Sequence, residues 1–200
     1  METRAQRQTR TIDARFQVRE DEGERRLEGY FSVFGGVYEL WPGATESIDP
    51  HAFDGALGDD IRVLINHETR LVLGRTVAGT AELRTDDKGL WGSVAINAED
   101  QDAMNLYARV KRGDVSQASF GFDILEEETT ETREGDGSWS VHWTIKRVKL
   151  YEVSVVTFPA YRDTEIEARV EDLRALRARR MDEYKTRMLG RIAAASKREV

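Results

Sequence analysis

Hydrophobic and polar residues alternate along most of the first 160 positions, which is the pattern expected of half-buried β-strands. Short groups of glycine, proline, asparagine and aspartate interrupt this alternation, as turns between strands would. The alternation predicts strands over residues 12–19, 26–35, 61–67, 71–83, 89–96, 115–126 and 139–157. Residues 41–49 are predicted to form a loop around Trp41-Pro42-Gly43.

Three segments show helical signals instead. Asp49 followed by Pro50 predicts the N-cap and first residue of a short helix that ends near Leu57. Residues 98–112 have the clearest internal pattern, with Asn97 as the expected cap and a glycine just after the last turn. One apolar face supports this helix; it consists of Ala103, Leu106, Tyr107 and Val110.

From Asp163 onward the sequence predicts one long helix of mixed charge with a single apolar stripe. The stripe recurs mostly every three or four residues and consists of Ile166, Val170, Leu173, Leu176, Met181, Tyr184, Met188 and Ile192. Two interpretations stay open. The stripe packs on the body or pairs with a second copy, or it docks the helix in the groove of a partner.

The order of these elements predicts an α+β fold with a β-rich, mostly antiparallel, barrel-like core, peripheral helices and a long C-terminal helix. We expect a flexible polar arm over residues 1–11, one domain over 12–162 and a helical tail over 163–200. The acidic segment 126–138 is predicted to be a solvated hairpin loop.

Composition narrows the function classes. The 200-residue chain has no cysteine, which excludes disulfides, thiolate nucleophiles and cysteine-bound zinc. Residues 1–10 and 163–200 each have a net charge of +2, so the −7 total leaves −11 on residues 11–162. An acidic body argues against a nucleic-acid partner. No run of 18 apolar residues is present, so a membrane partner is not expected, and residues 1–10 lack the apolar stretch of a secretory signal.

His67 is the first candidate for catalysis. It follows Ile61, Val63 and Ile65 at alternate positions, which places it at the end of an apolar strand face. A histidine there is either a core residue bonded to a backbone carbonyl or a general base at the rim of the core.

Glu152 is the second candidate, at the centre of a strand whose two faces are both largely apolar. Strict alternation places it on one face with Val148, Leu150, Ser154 and Val156. An unpaired carboxylate is unfavourable in such a strand, so we expect it to have a partner, for which an imidazole is well suited. A charge that reaches solvent at a sheet edge, or a structural ion pair, is the alternative.

Ser119 is the candidate nucleophile, because the small residues Ala118 and Gly121 beside it leave the backbone approachable for an oxyanion. No Gly-x-Ser-x-Gly elbow is present, which disfavours an α/β-hydrolase. Phosphate-loop, dinucleotide and His-Glu-x-x-His motifs are also absent from the sequence. A metal-dependent hydrolase using His51, His67 and a carboxylate stays open as an alternative.

Three blocks of sequence resemble the prohead protease family of tailed bacteriophages. They are Asn66-His67-Glu68 with Leu73-Gly74-Arg75, then Ser116–Phe122, then Leu150–Tyr161. Two further segments also fit the family, Gly29–Phe34 and Ile48–Phe53. The resemblance covers roughly residues 12–162 and leaves out the segment 126–138 and the tail after 163.

That resemblance implies the fold of assemblin, the maturation protease of herpesviruses, which is a β-barrel with peripheral helices and a serine nucleophile. It implies His67, Ser119 and Glu152 as the catalytic residues. Assemblin has a second histidine as its third member, so His142 is the rival to Glu152, and Arg75 is a candidate for assisting at the oxyanion.

The resemblance further implies a serine endopeptidase that needs no metal or cofactor. Its expected substrates are the scaffold, or the scaffolding segment of the major capsid protein, and the chain itself. Its expected location is the interior of the immature capsid, the prohead, in the host cytoplasm. Self-association into a homo-oligomer stays open, and so does a non-catalytic capsid-assembly or scaffolding protein with the same fold.

Overall fold

The computed structural model describes residues 8–13, 16–21, 23–158 and 162–196. The chain divides into two compact units, residues 1–160 and residues 161–200. The strands and one helix belong to the first unit, and a second helix makes up the described part of the second.

Eleven strands and two α-helices are defined within the described ranges. The strands are β1 Gln8–Asp13, β2 Gln17–Asp21, β3 Glu24–Val33, β4 Tyr38–Trp41, β5 Ala44–Ile48, β6 Arg62–Ile65, β7 Glu68–Arg75, β8 Ala81–Thr85, β9 Gly89–Ala95, β10 Gln117–Arg133 and β11 Trp139–Val156. The helices are α1 Gln101–Arg112 and α2 Arg162–Ser196, and a 3-10 turn spans Thr76–Ala78.

The strands form two sheets. The larger sheet has seven strands in the order β1-β10-β11-β5-β4, with β6 also paired to β11 and β7 paired to β6. The smaller sheet has the order β2-β3-β9-β8. The long strand β11 pairs in parallel with β5 over its first half and with β6 over its second half. All other strand pairs in the described ranges are antiparallel.

One hydrophobic core draws on both sheets and on α1. Its largest side chains are aromatic. Phe120 and Phe122 of β10 stack with ring centroids 4.8 Å apart, and Phe53 meets Phe120 edge to face at 5.5 Å. Because the side chains of Phe120 and Phe122 fill the core, the intervening and preceding residues of β10 face the opposite side of the sheet.

The prediction of a β-rich, mostly antiparallel α+β fold is confirmed. The predicted barrel is wrong, because the described strands form two separate sheets and neither of them closes on itself. The strands β5 and β6 lie end to end along one edge of β11, which extends the larger sheet instead of closing it. The assemblin-like architecture stays a prediction.

The internal helix is confirmed as α1, with one correction at its start. Asp100 is the N-cap, because its side chain accepts hydrogen bonds from the backbone N–H groups of Asp102 and Ala103. Asn97, the predicted cap, instead accepts a bond from the backbone of Glu99. Gly113 ends the helix in the left-handed conformation, with φ of 90°.

Residues 41–49 and 50–57 differ from prediction. The first segment is a hairpin, in which Pro42 and a left-handed Gly43 form only the turn between β4 and β5. Its second strand is held by parallel pairing with distant residues of β11, which no local pattern indicates. The second segment forms successive turns instead of a helix, and Gly55 and Gly58 explain this by their low helix propensity.

Three other boundaries are corrected. The segment 126–138 is not a loop throughout, because β10 and β11 remain paired as far as Arg133 and Trp139. The predicted strand 71–83 is divided by the 3-10 turn. The predicted arm is too long, because residues 8–11 belong to β1; residues 1–7 lie outside the described residues.

None of the helices in the described ranges is long and apolar enough to span a bilayer.

Candidate active site

Ser119 lies in β10, between β1 on one side and β11 on the other. It is directly opposite Thr11 of β1 and Ser154 of β11. Residues that face each other across a ladder point to the same side of the sheet, so Ser119 and Ser154 share the side opposite Phe120. Ser119 is completely buried, and its Oγ atom has no hydrogen-bond partner within the described part of the chain.

A β-bulge brings Glu152 to the same side of the sheet. Glu152 is opposite Gly121, whereas Leu150 is opposite Phe122, so the intervening Tyr151 is the extra residue of β11. The bulge reverses the alternation, so Leu150 points into the core and Glu152 points away from it. The prediction that these two side chains share a face is therefore wrong, because it assumed an unbroken period of two.

His67 lies in the turn between β6 and β7 and not in a strand. Ile65 pairs with Glu68, which leaves Asn66 and His67 as a two-residue hairpin loop. Both have left-handed backbone conformations, with φ of 50° and 61°, as the primed turns of such hairpins require. The expectation that His67 continues the apolar face of β6 is wrong, because this turn redirects its side chain.

The end of β11 holds this turn in place. The backbone N–H of Asn66 donates to the carbonyl of Val155 at 3.0 Å. The Asn66 Oδ1 atom accepts bonds from the backbone N–H and the hydroxyl of Thr157, at 2.9 and 3.0 Å. Left-handed backbone at a residue other than glycine is uncommon and persists where its surroundings fix it, as these bonds do.

The redirected imidazole of His67 meets Glu152. Their Nδ1 and Oε1 atoms are 2.7 Å apart, and the Glu152 side chain is only 4% exposed. An ionised carboxylate can only accept, so the Nδ1–H group of His67 donates this bond and the other ring nitrogen, Nε2, is left as an acceptor. Nε2 is buried, and none of the residues that the structure describes forms a hydrogen bond with it.

Ser154 connects these residues and was missed by the sequence analysis as a site residue. Its hydroxyl donates to Glu152 Oε2 at 2.6 Å and accepts from the backbone N–H of His67 at 3.2 Å. The available signal was its position two residues after Glu152, which puts two polar side chains on one side of an otherwise apolar strand.

The predicted trio is thus brought to one side of one sheet. Glu152 of β11 and Ser119 of β10 are diagonal neighbours. Glu152 is directly opposite Gly121, two residues after Ser119, and Ser119 is directly opposite Ser154, two residues after Glu152. Diagonal neighbours have Cβ atoms about 7–8 Å apart or somewhat less. Among the described residues, six buried side-chain nitrogen and oxygen atoms lack a hydrogen-bond partner, and two of them, Ser119 Oγ and His67 Nε2, lie in this site. A serine hydroxyl can act as a nucleophile, and a ring nitrogen without a proton can accept one.

The rival residue His142 lies elsewhere. It precedes Glu152 by ten residues in β11, which corresponds to roughly 30 Å of strand. Its ring nitrogens are within hydrogen-bond distance of Thr45 and Ser47 hydroxyls, at 2.8 and 2.9 Å. Arg75, the candidate for oxyanion assistance, forms two bonds with the Asp60 carboxylate and holds the pKa of that carboxyl below its usual range.

The histidines proposed for a metal site contact different carboxylates. The Nδ1 atom of His51 is 2.9 Å from Asp54 Oδ2, at the surface, whereas His67 contacts Glu152. Across the described ranges, no group of three or more His, Asp or Glu side chains is arranged to hold a metal ion.

A buried ion pair fixes β1 beside the strand of Ser119. Arg10 is opposite Phe120, and its guanidinium donates two bonds to the Glu46 carboxylate of β5, one of them at 2.9 Å. Both side chains are at most 3% exposed. Burial, together with the charge of Glu46, raises the pKa of the nearby Tyr38 to about 12. This cluster was also missed, since each charge alone looks like a surface residue.

Comparisons with known proteins agree on one class of protein. The model of the caudovirus prohead serine protease family matches residues 14–184, a span that includes 126–138 and extends past 162 into α2. The prohead protease of Enterobacteria phage HK97 is 30% identical over 147 residues, which are 71% of this chain and 59% of that protein. The chain therefore spans less than two thirds of the length of this curated relative.

A solved structure is also similar. The bacteriophage T4 capsid assembly protease matches with a TM-score of 0.47 and 10% sequence identity, over 77% of this chain and 98% of that one.

Proposed function

Since the chain belongs to the caudovirus prohead serine protease family, we propose that it is a serine endopeptidase of capsid maturation with Ser119, His67 and Glu152 as its catalytic residues. One observation carries the proposal. A histidine oriented by a buried carboxylate lies on the same side of the sheet as a serine whose hydroxyl has no hydrogen-bond partner among the described residues.

In the proposed reaction Ser119 Oγ attacks the carbonyl carbon of the scissile peptide bond. His67 Nε2 takes the hydroxyl proton and later returns it to the leaving amine, and an acyl-enzyme is formed and then hydrolysed by water. Proton transfer by a positioned base contributes roughly 10²–10⁴-fold to such reactions.

Glu152 has two roles in this scheme. Its bond to Nδ1 fixes the tautomer in which Nε2 can accept a proton, and its negative charge stabilises the imidazolium that forms. The low exposure of Glu152 strengthens this effect, because water screens the charge less there.

The choice of Ser119 over Ser154 as nucleophile rests on their hydrogen bonds. The hydroxyl hydrogen of Ser154 is already donated to Glu152, whereas no described residue forms a hydrogen bond with the hydroxyl of Ser119. Because Ser119 is completely buried, a substrate carbonyl reaches its Oγ only after the atoms that cover it move.

We further propose that the substrates are the scaffold, or the scaffolding segment of the major capsid protein, and the chain itself. The site of action would be the interior of the prohead in the host cytoplasm. The family match supports this assignment, because the family is named for the prohead, the immature capsid.

The test is co-expression of the full chain with the major capsid protein of the same virus, followed by mass spectrometry of the products. We expect a shortened coat protein with wild type and only full-length coat with Ser119→Ala. If the coat protein stays full-length with wild type as well as with Ser119→Ala, and particles still assemble, the chain would instead be a non-catalytic assembly protein.

A further inference from the structure

Ser154 is the most completely engaged polar side chain of the site. It is completely buried, its Oγ donates to Glu152 Oε2 at 2.6 Å, and it accepts from the backbone N–H of His67 at 3.2 Å. One hydroxyl is therefore bonded both to the carboxylate of the pair and to the backbone of its histidine.

The two oxygens of Glu152 are divided between these neighbours. Oε1 accepts from His67 Nδ1 and Oε2 accepts from Ser154. A carboxylate with only the first bond could still rotate about its last torsion, which is soft for an sp³–sp² bond. The bond from Ser154 restricts that rotation, and hydrogen bonds to a charged group are stronger than those between neutral groups.

The second bond of Ser154 acts on the turn. His67 has a left-handed backbone, which is intrinsically unfavourable for a residue other than glycine. The N–H of His67 donates to Ser154, near the C-terminal end of β11, and this bond ties the conformation to the sheet that also holds Ser119.

We propose that Ser154 is a positioning residue that holds the Glu152 carboxylate and the His67 backbone in the geometry needed for proton transfer from Ser119. The proposal rests on the proposed function. It assigns Ser154 no contact with substrate, and its effect is exerted through the His67–Glu152 pair.

The chain offers a matched control in Ser93. This serine is also buried, accepts from Arg26 at 2.8 Å and donates to the Glu28 carboxylate at 3.2 Å, but it lies in β9 of the smaller sheet. Ser93→Ala removes the same kind of bridging hydroxyl without touching the pair. Ser154→Thr keeps the hydroxyl on a residue suited to strands, and Ser154→Cys keeps the size with only a weak donor.

The experiment compares these variants as full-length chains, by kcat and KM on a coat-derived peptide and by the NMR signal of the His67 Nδ1–H proton. That signal is identified by its loss in His67→Ala and is measured without substrate. We expect Ser154→Ala to lower kcat by roughly 10- to 100-fold with little change in KM, as for loss of a bond to a charged group. The Nδ1–H signal should broaden or vanish.

Ser154→Thr should restore the signal and most of kcat, Ser154→Cys should be impaired, and Ser93→Ala should keep both. If Ser154→Ala does not fold, the difference in kcat and in the Nδ1–H signal between Ser154→Thr and Ser154→Cys tests the positioning role. Unchanged kcat and an unchanged Nδ1–H signal in folded Ser154→Ala or Ser154→Cys would overturn the positioning role. A wild-type chain with the signal but without hydrolysis would contradict the proposed function instead.

Discussion

His67 and Glu152 are joined by a 2.7 Å hydrogen bond although they lie 85 residues apart in the chain. Two departures from regular β-structure make the bond possible. The bulge at Tyr151 turns Glu152 away from the core, and the left-handed turn at Asn66 and His67 directs the imidazole to the same side. The pair is thus a product of backbone irregularities placed beside Ser119.

The left-handed turn gives a prediction about stability. Asn66→Gly and Asn66→Ala both remove the two bonds from Thr157, but only glycine adopts φ of 50° without a steric penalty. We expect the alanine variant to be less stable than the glycine variant by about 1 kcal/mol in the free energy of unfolding. Urea unfolding of the two variants measures this, and equal stabilities would show that the turn is not strained.

The ion pair of Arg10 and Glu46 gives a second prediction about stability. Glu46→Gln removes the negative charge to which the buried Arg10 guanidinium donates two bonds, so we expect a loss of about 3–5 kcal/mol in the free energy of unfolding. The control is Asp21→Asn, which breaks the exposed pair with Arg19 and should change stability little. If Glu46→Gln lowers the free energy of unfolding no more than Asp21→Asn does, the Arg10–Glu46 pair is not a buried ion pair that the fold depends on.

The contact between Lys146 and Asp49 predicts a dependence on pH. A 2.9 Å bond from Lys146 Nζ is the largest influence that holds the pKa of Asp49 below its usual range. A carboxyl group whose pKa is lower in the folded chain than in the unfolded chain stabilises the fold at any pH above the unfolded-state pKa, about 3.9. This contribution is lost as the pH falls through the folded-state pKa. Lys146→Met should therefore lower stability at pH 7 and cease to matter in strong acid.

Thermal unfolding of wild type and Lys146→Met from pH 7 down to pH 2 measures that difference. Lys149→Met is the control, because Lys149 lies over the Tyr151 ring instead of against Asp49. A destabilisation by Lys146→Met that is the same at both ends of the pH range would mean that the Asp49 contact is not its cause.

The third member of the proposed catalytic trio can be decided by substitution. Glu152→Gln keeps the shape of the side chain but removes the charge that stabilises imidazolium, so we expect kcat to fall by roughly 10²–10⁴-fold. His142→Ala should keep its activity, because its ring bonds to Thr45 and Ser47 far along β11. Steady-state hydrolysis of a coat-derived peptide tests both variants. An active Glu152→Gln together with an inactive His142→Ala would make His142 the third member.

Local patterns in the sequence predicted much of the fold. The helix α1 was identified by its apolar face and by Gly113, and most strands by alternation. The hairpin of β4 and β5 was not predicted, because β5 is held by parallel pairing with residues almost a hundred positions away. Local sequence contains no signal for a partner at that distance.

The site shows the same division. The resemblance to the family proposed His67, Ser119 and Glu152, and the structure brings them to one side of one sheet, but the faces assigned to His67 and Glu152 were wrong. A bulge moves the following residues to the other side of the sheet by adding one residue to the strand, and a left-handed turn redirects a side chain by one unusual φ. Neither changes the hydrophobic pattern of the sequence enough to be recognised there. Ser154 was overlooked for a related reason, since its importance depends on bonds to two residues that only the folded sheet brings together.

The central claim is that Ser119 is a nucleophile activated by His67, and one measurement tests it most directly. The full chain is treated with a serine-directed fluorophosphonate, and the modified residue is located by mass spectrometry. We expect the label on Ser119, no label in Ser119→Ala or His67→Ala, and normal labelling in Ser116→Ala, which removes a hydroxyl three residues earlier. A label on Ser154 or Ser116, or a wild-type chain that cleaves coat protein while Ser119 stays unmodified, would contradict the account.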